Sequence, residues 1–356
     1  MKSYPKISRG QLTALLFAGR LSGCLLLPDD RLSSFSVVDC LLSTALNGVL
    51  LFFAFFPTLW LLKGRDEGII QRAYAQSPFW GKATDTAYLL LCLFILLVDM
   101  VQFSDFALKT MREGFSVWIL AAMFVVSCVL ASRCGIQAIA RAATPVAVFS
   151  ALCLVVFAVA LFPEMKWFHF APQEIGGIVR ACQKAVEDLP RTAEVMAIGL
   201  LYPYANHSHT HSCAWFSGLT ALFSALVTVT SIGVLGGFVG MMTYPFYAAV
   251  TAAKIGVLQR LDVLVTAVWL STFFVRFTLF VWLFAERCCS LFGEKKRFSA
   301  KVLITVFMLG VAFLLQNSSY NGGWQIVTTT YGGMLAFFCF ALPVFSLIGG
   351  RRFAKV

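Results

Sequence analysis

The sequence predicts an all-α polytopic membrane protein, and three features predict it. Of its 356 residues, 59% are hydrophobic and only 13% charged, against about 45–50% and 25% in soluble domains. The apolar residues fall in runs long enough to cross a bilayer, which needs roughly 20. The charged residues gather between those runs. Together these exclude a soluble enzyme, a disordered tail and a nucleic-acid-binding domain. They leave one membrane domain over residues 1–356 with the lipid bilayer as its solvent. The net charge of +11 then orients loops and does not signal nucleic acid.

Ten spans are expected, at 10–28, 36–62, 84–108, 115–132, 142–162, 190–206, 213–239, 262–286, 300–316 and 325–349. Lipid leaves no water for unpaired main chain, and runs of this length exclude a β-barrel. With the N-terminus inside, the inner segments carry 17 Lys and Arg and the outer ones 9, while Arg20 and Arg276 fall within spans. This bias places both termini in the cytoplasm of a multi-pass protein.

Two outer connections are too long to be turns. Residues 163–189 contain an amphipathic stretch, Glu174 to Glu187. Residues 240–261 open on Tyr244-Pro245-Phe246-Tyr247 and run through helix formers to Lys254. Both predict short helices on the outer face. Lys2, Lys6 and Arg9 before an apolar run ending Leu21-Ser22-Gly23-Cys24 have the form of a lipoprotein signal. Arg20 interrupts that run, so the segment is expected to be span 1. The eleven cysteines mostly sit inside apolar runs (Cys24, Cys40, Cys92, Cys128, Cys153 and Cys339) and read as small hydrophobes.

Function is expected where the apolar pattern fails. Span 1 holds Gly19-Arg20-Leu21-Ser22-Gly23 near its middle, and the short span 6 holds Gly199 and Tyr202-Pro203. These begin two five-span halves, about 10–162 and 190–349. Gly- and Pro-interrupted spans at matching places point to an inverted repeat with broken helices 1 and 6, whose freed backbone groups bind a ligand. The alternative is that the glycines serve close helix packing.

Arg20, Asp99 and Arg276 lie near mid-span, and Glu194 and Asp105 further out. Insertion scales put an Arg or Asp at the centre at roughly 2.5–3.5 kcal/mol, so these groups must pair or meet water. Asp99, Gln102, Phe103 and Phe106 share one helix face. Asp99 is expected to face the interior and pair with Arg20 or Arg276, either in a ligand- or proton-binding cavity or in a structural ion pair. His207, His209 and His211 read as a polar cytoplasmic loop, with no metal site expected. No cofactor motif and no nucleophile–base pair is visible, so neither a cofactor nor enzyme chemistry is expected.

Ile7-Ser8, Gln11-Leu12 and a Gly-containing helix ending Leu27-Pro28 resemble the start of spore germinant receptor B subunits. These belong to the endospore germination permease family of the amino acid–polyamine–organocation superfamily. Glu194 with Leu200-Leu201-Tyr202-Pro203, and Tyr244-Pro245 followed by Arg260-Leu261-Asp262 and Trp269, resemble the same family's span 6 and span 8 regions. The resemblance implies a LeuT-like 5+5 fold, residence in the spore inner membrane (a bacterial cytoplasmic membrane), and association with A-type and lipoprotein C-type subunits. It implies recognition of a small germinant, usually an amino acid, between spans 1, 3, 6, 8 and 10. Carried onto this chain, the ligand site comprises Gly19, Arg20, Ser22 and Gly23; Asp99, Gln102 and Phe103; Glu194, Ile198 and Gly199; and Thr266, Trp269 and Thr272. Arg20 departs from amino acid permeases, which carry small residues through this break. A germinant-sensing subunit is thus expected, with a proton-coupled amino acid permease as the alternative.

Overall fold

The computed structural model describes residues 6–26, 37–63, 67–110, 116–170, 177–189, 192–206, 209–252, 261–315, 330, 332–334 and 336–343. Among these residues the chain is helical throughout. In order come α1 (Arg9–Leu26), α2 (Val37–Leu62), α3 (Ile69–Gln76), α4 (Pro78–Thr110), α5 (Val117–Ala131) and α6 (Ile136–Leu161). They are followed by α7 (Gly177–Asp188), α8 (Ala193–Leu201), α9 (His209–Leu235), α10 (Pro245–Ala252), α11 (Leu261–Phe292) and α12 (Arg297–Leu315).

Seven described helices are long and apolar enough to cross a membrane. They correspond to expected spans 2, 3, 4, 5, 7, 8 and 9. Their outward faces are bare hydrocarbon: Val148, Leu152, Val155, Val156 and Val159 on α6, and Leu303, Val306 and Leu314 on α12, are all exposed. Such a continuous apolar surface requires lipid. Span 10 lies mostly outside the described residues, which there form a π-helical turn at Ala336–Ala341. Pro28, Glu174, Lys254, Arg260 and His207 also lie outside them.

Five helices pack around the centre. α1 packs against α6, α9 and α11, and α4 packs along α11. On the flank, α2 packs against α9 and α7. A Cβ on Gly48 would stand 2.7 Å from that of Ala221, so the glycine sets how closely α2 and α9 approach. Before α1, Ile7 forms a parallel bridge with Ala205. Its N–H donates to Tyr204 O at 2.7 Å, and Asn206 N–H donates to Ile7 O at 3.1 Å. The segment before α1 is thereby tied to the turn that follows α8.

The break expected within span 1 is absent, since α1 is helical from Arg9 to Leu26. A helix interior tolerates each glycine at about 1 kcal/mol, and Ser22 Oγ donates back to Gly19 O at 2.6 Å, within the turn. In span 6 the helix also runs unbroken through Gly199. It starts abruptly after Thr192 (φ −101°, ψ 77°) and tightens into a 3₁₀ turn at Tyr202–Tyr204, where Pro203 has no N–H to give. Within the amphipathic stretch expected at 174–187, the described residues from Gly177 onward form α7, whose Ala181 and Ala185 are fully buried in a helix that packs on α2. His209 and His211 belong to α9, not to a loop. His209 stacks on Tyr202 at 3.8 Å, and His211 accepts from Trp215 Nε1 at 3.0 Å.

Candidate functional site

The centre of the bundle is a charge cluster built on Arg276 of α11. Its Nε donates to Asp99 Oδ1 and Oδ2 of α4 at 3.1 and 3.0 Å. Its Nη1 donates to Glu194 Oε1 of α8 at 2.6 Å and reaches the Gly19 carbonyl of α1 at 3.5 Å. All three side chains are nearly sealed from solvent. One guanidinium therefore joins four helices. Its planar fork suits this, because separate N–H groups face separate partners. Gly19 makes room, since a Cβ there would stand 2.9 Å from Glu194 Oε1. Glu194 lies in the first turn of α8, where the helix dipole favours a carboxylate. Its second oxygen, Oε2, is buried without a hydrogen-bond partner among the described residues.

Polar cavities lie toward the two ends of the bundle. One, of about 190 Å³, opens between α3, α8 and the end of α11, lined among others by Tyr74, Gly199, Tyr204, Arg287 and Cys289. Arg287, which lines it, ion-pairs from α11 to α4: its Nη1 donates to Asp85 Oδ1 at 2.9 Å. Tyr74 Oη donates to Asp85 Oδ2 at 3.3 Å. Burial, and then the Asp85 charge, push the Tyr74 phenol above its ordinary pKa, which keeps it a donor. The other cavity, of about 90 Å³, lies between α1, α2, α7, α9 and α10 and includes Arg20 and Lys184 in its lining.

The nominated residues divide among these places. Gly19, Asp99 and Glu194 meet at Arg276. Arg20 lines the smaller cavity and Gly199 the larger. A Cβ on Gly199 would fall 2.6 Å from the Tyr88 hydroxyl. Phe103 and Trp269 stack at 5.8 Å, and each stacks on Phe273, at 5.9 and 5.0 Å. These rings line neither polar cavity. Thr272 Oγ1 is spent on its own helix, donating to Val268 O and Trp269 O. Thr266 does the same to Asp262 O. Gln102, Ile198, Ser22 and Gly23 are buried. Asp99 pairs with Arg276, one of the two partners expected for it, yet Arg276 was not nominated. Asp85, Tyr74 and Arg287 were missed altogether. Asp105, on another face of α4, accepts from Tyr244 Oη at 2.5 Å and Lys109 Nζ at 2.9 Å.

The fold matches that of Mhp1, a nucleobase-cation-symport-1 family transporter, in a closed conformation with bromovinylhydantoin bound. The TM-score is 0.67 at 15% identity, covering 94% of this chain and 77% of that one. No curated protein matches the chain. The family described as spore germination protein, a spore permease, matches residues 40–321, and the chain belongs to this family of permease-type membrane proteins, which are not enzymes.

Proposed function

We propose that this chain is the germinant-sensing membrane subunit of a spore germination receptor, and that its ligand is a small amino acid. The observation that carries the reading is Arg276, buried at mid-bundle between Asp99 and Glu194. An amino acid bears the same two charges as that internal pair. Its carboxylate replaces Asp99 or Glu194 on the guanidinium, and its ammonium takes the carboxylate released. The exchange leaves no ion stranded, which is the main cost of opening a buried pair. The ligand then favours the helix arrangement it binds better, by no more than its difference in affinity between the two arrangements.

The site draws on Gly19, Arg20, Ser22 and Gly23 of α1; Asp99, Gln102 and Phe103 of α4; Glu194, Ile198 and Gly199 of α8; and Thr266, Trp269 and Thr272 of α11, with Arg276 added. The architecture is ten spans in a 5+5 inverted repeat, divided at about 10–162 and 190–349. Support comes from α1 and α8, the opening helices of the halves, which converge on one carboxylate. The Mhp1 fold neighbour, itself named with a small hydantoin bound, also supports it. The protein resides in the spore inner membrane with both termini cytoplasmic and signals to A-type and lipoprotein C-type subunits.

The test is thermal unfolding of the purified full chain against a panel of amino acids, paired with germination of spores carrying Arg276→Lys. A ligand that stabilises the wild type and loses its effect in the variant supports the reading. If no amino acid shifts the transition, the reading fails. One feature favours a proton-coupled amino acid permease instead: two carboxylates share one guanidinium, so one of them is available to carry a proton. Uptake into liposomes under a pH gradient, stopped by Asp99→Asn, would decide for that alternative.

A further inference from the structure

At one end of the bundle, basic side chains from two separate turns meet. The first turn is Ser132–Cys134, between α5 and α6. The second is Glu294–Lys296, between α11 and α12. Each adjoins a glycine in the left-handed region, Gly135 (φ 81°) and Gly293 (φ 94°), where the chain reverses at little steric cost. The turns put Arg133, Lys295 and Lys296 on the surface. Lys301 follows about one turn into α12 and is only 6% exposed. The charges of Arg297 and Arg133 both bear on its ammonium.

The local carboxylates do not balance this corner. Glu286 is held by Arg297 Nη2 at 2.9 Å, and Asp85 by Arg287 Nη1. Glu294 sits in the second turn itself. Among the described residues, Arg133, Lys295, Lys296 and Lys301 make no ion pair. Membrane orientation asks only for positive charge in a loop. It gives no reason to cover an ammonium close to two guanidinium groups, where the charges repel. An anion seated among them does.

The surroundings say what carries that anion. Arg133 Cζ lies 5.1 Å from the centre of the Phe298 ring, and Lys296 Nζ lies 5.6 Å from that of Phe292. Both rings are exposed. From Phe298, Val302 and Val306 extend an exposed apolar strip along α12 at four-residue spacing. Cations at the end of a span, with a strip of hydrocarbon directly beside them, match the two ends of one phospholipid.

We infer that this corner binds an anionic phospholipid. Its phosphate lies among Arg133, Lys295, Lys296 and Lys301, and an acyl chain runs along Phe298, Val302 and Val306. The inference goes beyond the amino acid reading and does not depend on it.

The test offers equal amounts of phosphatidylglycerol and phosphatidylcholine to the purified full chain, stripped of lipid in detergent. Native mass spectrometry counts what is bound. Phosphatidylglycerol is expected to be retained about tenfold over phosphatidylcholine. The double variant Lys295→Gln/Lys296→Gln, at two exposed positions, loses most of that preference, and Lys301→Gln or Arg133→Gln weakens it. Lys63→Gln/Lys82→Gln removes the same charge from exposed positions elsewhere and keeps it. Equal retention of the two lipids by the wild type overturns the inference. An equal loss in the Lys63/Lys82 variant also overturns it, since net charge alone would then explain the preference.

Thermal unfolding separates a lipid from a free anion. Phosphatidylglycerol is expected to raise Tm by several degrees, and inorganic phosphate at the same ionic strength to leave it unchanged. A rise of the same size with phosphate alone assigns the corner to a free ion and overturns the lipid assignment.

Discussion

Gly19 of α1 and Glu194 of α8 touch so closely that a single added methyl group would stand 2.9 Å from the carboxylate oxygen Oε1. That same oxygen accepts the 2.6 Å hydrogen bond from Arg276. The missing side chain on one helix therefore sets the position of a charge on another. The glycine serves close approach and not a helix break.

Gly19→Ala is accordingly expected to push Glu194 off Arg276. Ligand response should weaken by about tenfold, equivalent to 1.4 kcal/mol, with little change in membrane level. The germinant dose-response of spores carrying the variant, set against the abundance of the protein, checks this. An unchanged dose-response would show that Glu194 has room to move.

Arg276→Met strands two buried carboxylates and should cost about 3–5 kcal/mol, seen as loss of folded protein from the membrane. Adding Asp99→Asn and Glu194→Gln removes the stranded charges. The triple variant should regain folded protein and stay unresponsive to ligand. Detergent-solubilised yield and thermal unfolding read the first effect, and germination reads the second.

Tyr244→Phe removes the hydroxyl that donates to Asp105. A loss of about 1 kcal/mol is expected, read as a lower Tm. Burial, then the hydrogen bond to and charge of Asp105, raise the Tyr244 pKa above its ordinary value. A raised phenol pKa means the folded state holds its proton more tightly than the unfolded chain does. The contribution is thus complete below the unfolded pKa of about 10. It declines as pH climbs past that value, so wild type and variant should converge in alkaline solution.

Arg287, held by its ion pair with Asp85, forms part of the wall of the larger cavity, which Cys289 also lines. Arg287→Gln should loosen that wall and speed alkylation of the buried Cys289. Site-resolved mass spectrometry after a timed maleimide pulse measures the rate, and exposed Cys134 serves as the internal control. No acceleration at Cys289 would mean that the wall is held by packing alone.

Composition and run length determined that this is a helical membrane protein, because the cost of placing a residue in lipid depends on its own chemistry and not on its neighbours. Seven spans were legible for that reason. The amphipathic α7 was legible because the 3.6-residue period is local. Which charges pair was a different matter. Asp99 and Arg276 lie 177 residues apart, and only the packing of α4 along α11 selects Arg276 over Arg20. The sequence carries two signals of this pairing. Asp85 and Asp99 are about four helical turns apart, and Arg276 and Arg287 about three, so each pair repeats along one face of its helix. The supposed break at Gly19 was misread because a glycine that bends a helix and one that admits a neighbouring side chain look alike in sequence. Only the carboxylate standing against Gly19 tells them apart.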